Sequence, residues 1–261
     1  MNTNMKTAMR AVGLILLTLS PLIVVPRTVA ADSPATRVRV LIFSGQNNHE
    51  WKLTTPRLKE VLETVGRFEV TVTDHPEQCD GGVLKKYDVL LSNWNTFGSP
   101  PVTNWPVAVR EAYLDFVRQG GGVVTVHAGS SSFYDWPEYQ QLAGGSWNLG
   151  ETGHGPVHSF PVKLTGPQHP IALGLTNFLT TDELWHKAGF QPGNEVLATA
   201  FSALDKKGSG RDEPVAWVRK SGRGRSFTLL LGHDVRAMES FGFQTLLRRG
   251  TEWAATGKVA E

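Results

Sequence analysis

Four histidines and one carboxylate stand where side chains can do chemistry: His49, His127, His154, His233 and Glu183. Neutral imidazoles with a carboxylate suit a zinc-like divalent ion, which polarises an oxygen or activates a water. An imidazole outside the ion's reach can act as a general base. No two of these histidines have the His-x-x-x-His spacing of a one-helix metal motif, so a shared site has to be built by the fold. Strand ends can build it, because parallel strands deliver distant residues to one rim, and ligands in open α/β sheets bind beyond the strands' carboxyl ends. His49 lies just past the apolar run Val38–Phe43, His127 closes the run 123–126, and His233 follows the run 227–231. His154 sits between Gly153 and Gly155 in a glycine-rich loop, pliant enough by sequence to close over a site. These positions nominate His127, His233, His154 and Glu183 as catalytic groups, and His49, His127 and His233 as metal ligands. For each histidine the alternative is a ring bonded to backbone that holds a loop, and Asp182 offers a second carboxylate facing the other way along a strand. Trp51, Trp94 and Trp147 are candidates to stack on a sugar ring, with core packing the alternative for each.

The elements that must position these groups can be followed along the chain. Val38–Phe43 has the apolar bias of a central parallel strand. A helix is expected to start at Thr54-Thr55-Pro56, with Leu58, Val61, Leu62 and Val65 at helical spacing and Gly66 ending it, followed by the alternating strand Phe68–Thr73 and a third strand over 87–94. Pro106 opens a helix whose Val109, Tyr113, Phe116 and Val117 recur at three and four, and Gly120 stops it before the strand that ends at His127. This βαβ alternation predicts an α/β fold with a single doubly wound, mostly parallel sheet. Beyond His127 the sequence predicts a short helix over 137–142, a glycine-rich loop over 144–156 and a strand over 157–164. One strand over 178–185 is expected to carry Asp182 and Glu183. A strand over 195–201, a hairpin formed by 214–220 and 226–231, and a last helix over 240–255 complete the pattern.

The N-terminus reads as a separate segment. Lys6 and Arg10 precede an apolar stretch over 11–25, and Thr28, Val29, Ala30 and Ala31 supply small residues for cleavage, so 1–31 is expected to be a signal peptide and 32–261 the α/β domain. The apolar stretch is short of the ~20 residues that span a bilayer, so the mature protein is expected to be secreted or periplasmic without a membrane attachment. The leader holds Lys6, Arg10 and Arg27 of the 26 basic residues and none of the 24 acidic ones, which leaves the mature chain close to neutral. That balance offers no electrostatic footprint for nucleic acid. Cys79 is the single cysteine, which excludes an internal disulfide and Cys-based zinc or thiol-disulfide chemistry.

Taken in order, Gly120-Gly121-Gly122 with Val126-His127-Ala128-Gly129, Gly153-His154, Asp182-Glu183-Leu184-Trp185, Pro214 with Ala216-Trp217, and Gly224-Arg225 with Leu231-Gly232-His233 form a set. Over 38–253 that set resembles the trehalose-utilisation (ThuA-like) family. The resemblance implies the class I glutamine amidotransferase-like (flavodoxin-like) sheet. Those amidotransferases carry a nucleophilic cysteine on the turn after the strand corresponding to 123–126. Here that turn holds His127 and Cys79 lies before the third strand, so no glutaminase activity is expected.

The resemblance also implies disaccharide breakdown through 3-keto sugars. A ketone at C3 acidifies the C2 proton, so a base can remove it, the glycosidic oxygen on C1 leaves by elimination, and water adds back. Such chemistry needs a base and a cation or donor at the developing enediolate oxygen, rather than the opposed carboxylates of ordinary glycosidases. The expectation is therefore an exported enzyme with a small carbohydrate substrate and a divalent metal. Two alternatives stay open: a non-catalytic carbohydrate-binding or scaffold domain, and a metal-dependent amide or ester hydrolase.

Overall fold

In the parallel half of the sheet, three strands run with apolar residues on both faces. The computed structural model describes Met1, residues 37–97 and residues 105–260; beyond Met1, the expected signal peptide over 1–31 lies outside the described residues. β1 (Val38–Phe43), β3 (Val89–Ser92) and β4 (Gly122–Val126) are buried at every position but Arg39, as strands covered on both sides must be. α1 (Trp51–Glu63) leads to β2 (Phe68–Thr73), α2 (Gly81–Leu84) precedes β3, and α3 (Val107–Arg118) precedes β4. Later come α4 (Pro137–Ala143), β5 (Gly153–His154), β6 (His158–Leu164), β7 (Phe178–Asp182) and β8 (Trp185–His186). β9 (Glu195–Ser202), β10 (Arg211–Ser221), β11 (Gly224–Leu229) and α5 (Phe241–Thr256) complete the chain.

The main sheet has nine strands in the order β2-β1-β3-β4-β11-β10-β9-β6-β7. The pairings from β2 to β11 are parallel, and those from β11 to β7 are antiparallel and form a wing. Leu58 and Leu62 of α1 share one core with Phe243, Leu246, Leu247 and Trp253 of α5. Val109, Tyr113 and Val117 of α3 share the opposite core with Tyr139 and Leu142 of α4, so the parallel half is wound on both faces as its alternation predicts. No helix of the described residues is long and apolar enough to cross a membrane.

Two turns set up the rim. Gly120, at φ +111°, ends α3 in a conformation that side chains resist, and it delivers the chain into β4. At the other end of β4, His127 takes φ +42°, a left-handed conformation uncommon outside glycine, so the strand turns sharply at the imidazole.

Three expectations need correction. α1 starts at Trp51 rather than near Thr54, so Pro56 lies inside the helix. The early start is held from outside: Asn93 Nδ2 donates to Thr54 Oγ1 and Thr55 Oγ1 at 3.0 and 2.8 Å, and Ser44 Oγ lies 2.9 Å from Thr55 Oγ1. The strand expected over 178–185 breaks after Asp182, whose carboxylate turns back to accept hydrogen bonds, and Trp185–His186 pairs instead with β5 in a two-stranded ribbon. The loop expected over 144–156 contains β5 and is not pliant at His154, because a Cβ on Gly155 would collide with the Lys206 carbonyl. Glycine there permits close packing.

Candidate functional site

His49, His127, Glu183 and His233 meet at one rim of the sheet. Each offers a ligand atom, and the four atoms lie within 4.8 Å of one another. The ring centroids of His49 and His127, His49 and His233, and His127 and His233 are 5.0, 4.7 and 5.4 Å apart, with the planes at 82°, 90° and 90°. Their edges converge on a common space instead of stacking.

Hydrogen-bond partners set the tautomers of two of these rings. His127 Nδ1 is 2.7 Å from the Leu230 carbonyl, which can only accept, so Nδ1 carries the proton and Nε2 presents a lone pair. That Nε2 is buried and has no hydrogen-bond partner. His49 Nδ1 lies 3.1 Å from Asn47 Oδ1, which also accepts from His49 N at 2.8 Å and Asn95 Nδ2 at 2.9 Å. Asn47 Nδ2 donates to the Asn93 carbonyl at 2.9 Å, which fixes the amide the right way round and leaves His49 Nε2 bare. Donation of the second ring nitrogen to a carbonyl is how metal-ligating imidazoles are held. His233 Nδ1 is buried, makes no hydrogen bond, and lies 3.3 Å from Glu183 Oε2.

Burial lowers the pKa of His127 well below the ordinary value, and burial with neighbouring His233 and His154 lowers that of His49 to about 4. Both rings are neutral at pH 7, as ligands must be. Glu183 is 7% exposed. Its Oε1 accepts from Trp185 Nε1 at 3.0 Å and lies 3.8 Å from His127 Nε2, while Oε2 lies 3.2 Å from His154 Nδ1. Among the described residues its ion-pair partners are these imidazoles and no lysine or arginine. A buried carboxylate without a permanent cation is costly. Orphaned imidazole nitrogens around an uncompensated carboxylate fit a divalent ion, and the cluster can hold one.

His154 stands at the mouth. Its Nδ1 is 2.8 Å from the Gly155 carbonyl and faces Glu183, so the proton sits on Nδ1 and Nε2 is free. The cavity is about 240 Å³ and is lined by Asn48, Phe97, Ser131, Trp147 and Trp185 as well as His49, His154, Glu183 and His233. A larger cavity of about 570 Å³ between α2 and α3 holds none of the histidines, so chemistry rather than size selects the candidate.

Of the three indoles nominated for a sugar, Trp147 alone lines this cavity. Trp94 is 3% exposed and stacks on Phe133 at 5.1 Å inside the α3 core, which removes it from any ligand. Trp51, on the first turn of α1, borders a neighbouring cavity with Lys59, Val72 and Asp74. Cys79 is buried in the α3 core, and burial pushes its thiol pKa up, which suits packing and not nucleophilic attack.

Three positioning groups were not evident from sequence. Asn47 holds His49 by a hydrogen bond to its side-chain oxygen, and Asn95 Nδ2 donates to that same oxygen and holds Asn47 in turn. Asp182, fully buried, accepts from Gly232 N at 2.7 Å, His233 N at 3.1 Å and Glu183 N at 2.8 Å. It thus fastens the backbone on both sides of the cluster.

Residues 39–254 match the ThuA family, described as trehalose utilisation. A crystal structure of a ThuA-like protein from Parabacteroides merdae is similar over 87% of this chain and 92% of its own, at 31% identity and a TM-score of 0.77. A second ThuA-like protein, from Bacteroides uniformis, is 21% identical over 88% of this chain and 97% of its own, with a TM-score of 0.68, and shares the fold. The cold-adapted β-galactosidase from Rahnella sp. R3 is 16% identical with a TM-score of 0.56 over 84% of this chain and 32% of its own, again a likeness of fold alone. No curated protein matches the chain.

Proposed function

We propose, from the premise that the chain belongs to the ThuA family, that it is an exported enzyme cleaving oxidised, 3-keto glycosides in the histidine cavity. The observation that carries this reading is the meeting of His49, His127, Glu183 and His233 within 4.8 Å, with His154 beside Glu183 at the mouth.

His154 Nε2 is the base for the C2 proton, because it is the free nitrogen of the exposed ring. Glu183, facing its Nδ1–H, holds the ring and stabilises the imidazolium that forms. The C2–H electron pair becomes the enediolate, the C1–O bond then breaks, and His154 returns its proton to the leaving glycosidic oxygen. Water adds across the resulting double bond to give the free sugar. A divalent ion held by His49, His127, His233 and Glu183 supplies, when bound, positive charge for the oxygen on which negative charge develops. Trp147 offers an aromatic wall for the sugar ring.

Exhaustive chelation is expected to abolish cleavage of a 3-keto disaccharide, and added zinc to restore it, with unoxidised disaccharides inert throughout. Cleavage unaffected by chelation, or equal rates on the unoxidised sugar, would overturn the proposal. Export is tested separately by N-terminal sequencing of protein recovered from the periplasm or medium. The expected first residue is Asp32, and an intact Met1 contradicts cleavage.

A further inference from the structure

Three serines follow one another beyond the His127 turn, and two of them are spent on backbone. Ser130 Oγ donates to the His127 carbonyl at 3.0 Å, and Ser132 Oγ donates to the Trp94 carbonyl at 2.9 Å. Ser131 uses its N–H on the Ala128 carbonyl at 2.8 Å, yet its hydroxyl makes no hydrogen bond among the described residues. The residue is 2% exposed and lines the histidine cavity. A hydroxyl on a cavity wall without a protein partner is left to bond with whatever fills that space.

The polar inventory of the cavity says what that partner is. His49 and His154 present bare Nε2 lone pairs, and Glu183 presents carboxylate oxygens. Trp185 Nε1, which could donate, is committed to Glu183. Against these acceptors, Ser131 Oγ–H is a donor without a protein partner. Asn48 adds an amide nitrogen at the exposed side, since its Oδ1 already accepts from Asn95 Nδ2 at 2.7 Å.

We infer that Ser131 is a catalytic residue of the proposed reaction, its hydroxyl donating to the substrate oxygen that becomes anionic as the C2 proton leaves. A donor placed in advance at developing charge acts chiefly on the transition state. This inference rests on the 3-keto glycoside reading.

The test compares Ser131→Ala with Ser132→Ala and with the wild type. Ser131→Ala is expected to lower kcat on a 3-keto disaccharide by about 100-fold or more, with zinc affinity and melting temperature unchanged. Ser132→Ala, which cuts a backbone tie, is expected to lower the melting temperature and leave kcat within a few-fold. In a His154→Ala background, where turnover stops, adding Ser131→Ala should weaken calorimetric binding of the same sugar by about 10-fold. A wild type that neither binds nor cleaves 3-keto sugars removes the reading, and the role of Ser131 with it. An active wild type with Ser131→Ala inside three-fold of its kcat removes the role of Ser131 alone. So does a loss of zinc affinity in Ser131→Ala that matches its loss of rate.

Discussion

Replacing His127 by alanine is expected to lower turnover of a 3-keto glycoside by about 100-fold or more, and zinc affinity by at least 10-fold, in a protein that remains folded. The ring contributes the buried, unpartnered Nε2, and its Nδ1 is anchored to the Leu230 carbonyl, which fixes the direction of that lone pair. It also packs 5.0 Å from the Trp185 ring, so the variant leaves a cavity as well as removing the nitrogen. Alanine at φ +42° inherits the strain without the ligand. His127→Gly is the companion variant, because it relaxes the backbone and removes the same nitrogen. Metal content and calorimetric zinc titration, beside far-ultraviolet circular dichroism, measure both. Wild-type zinc binding in either folded variant would exclude His127 from the proposed ligand set.

The second large effect is expected at Asp182, through stability. Asp182→Ala leaves the N–H groups of Glu183, Gly232 and His233 buried without their acceptor. Each orphaned group costs about 1–3 kcal/mol, so a total of ~3 kcal/mol or more is expected, a large part of the 5–15 kcal/mol that holds a typical domain. Zinc affinity should fall too, since Glu183 and His233 lose a common anchor. Asp182→Asn should lie between, because one oxygen survives while an NH2 faces an N–H. Burial pushes the Asp182 carboxyl up to about 7, against the pull of those three donors. A pKa raised above its unfolded value near 3.9 gives stability that is full at low pH and is lost as pH rises through 7. The wild type should therefore lose this contribution between about pH 4 and 7, and Asp182→Asn should not. Equal urea midpoints for wild type and Asp182→Ala would refute the anchoring role.

What was legible in the sequence follows from the range of each interaction. An apolar run followed by a histidine is a local signal, and it marks His49, His127 and His233 as residues just beyond strands. The alternation of strands and helices up to His127 is local in the same sense. The bonds that finish the site are not. Asp182 meets residues 50 and 51 positions away, and His127 meets Leu230 across 103. No spacing rule encodes such partners, and Asn47, Asn95 and Ser131 look like any polar loop residues until they are seen together. Trp94 takes the second of its two sequence readings, core packing, and an indole at a strand end reads alike whether it faces a ligand or a core.

The strand order has a further consequence. β7 lies four positions from β11, about 19 Å away were the sheet flat, yet Asp182 at its end touches Gly232 just past β11. The antiparallel wing therefore curls until its outer margin returns to the middle of the sheet, like a ring not quite joined. Glu183 sits on one lip of that gap and His49, His127 and His233 on the other. Whatever binds all four acts as a clasp across it, and occupancy becomes visible far from the cavity, as protease resistance and slowed amide exchange along β6, β7 and β9.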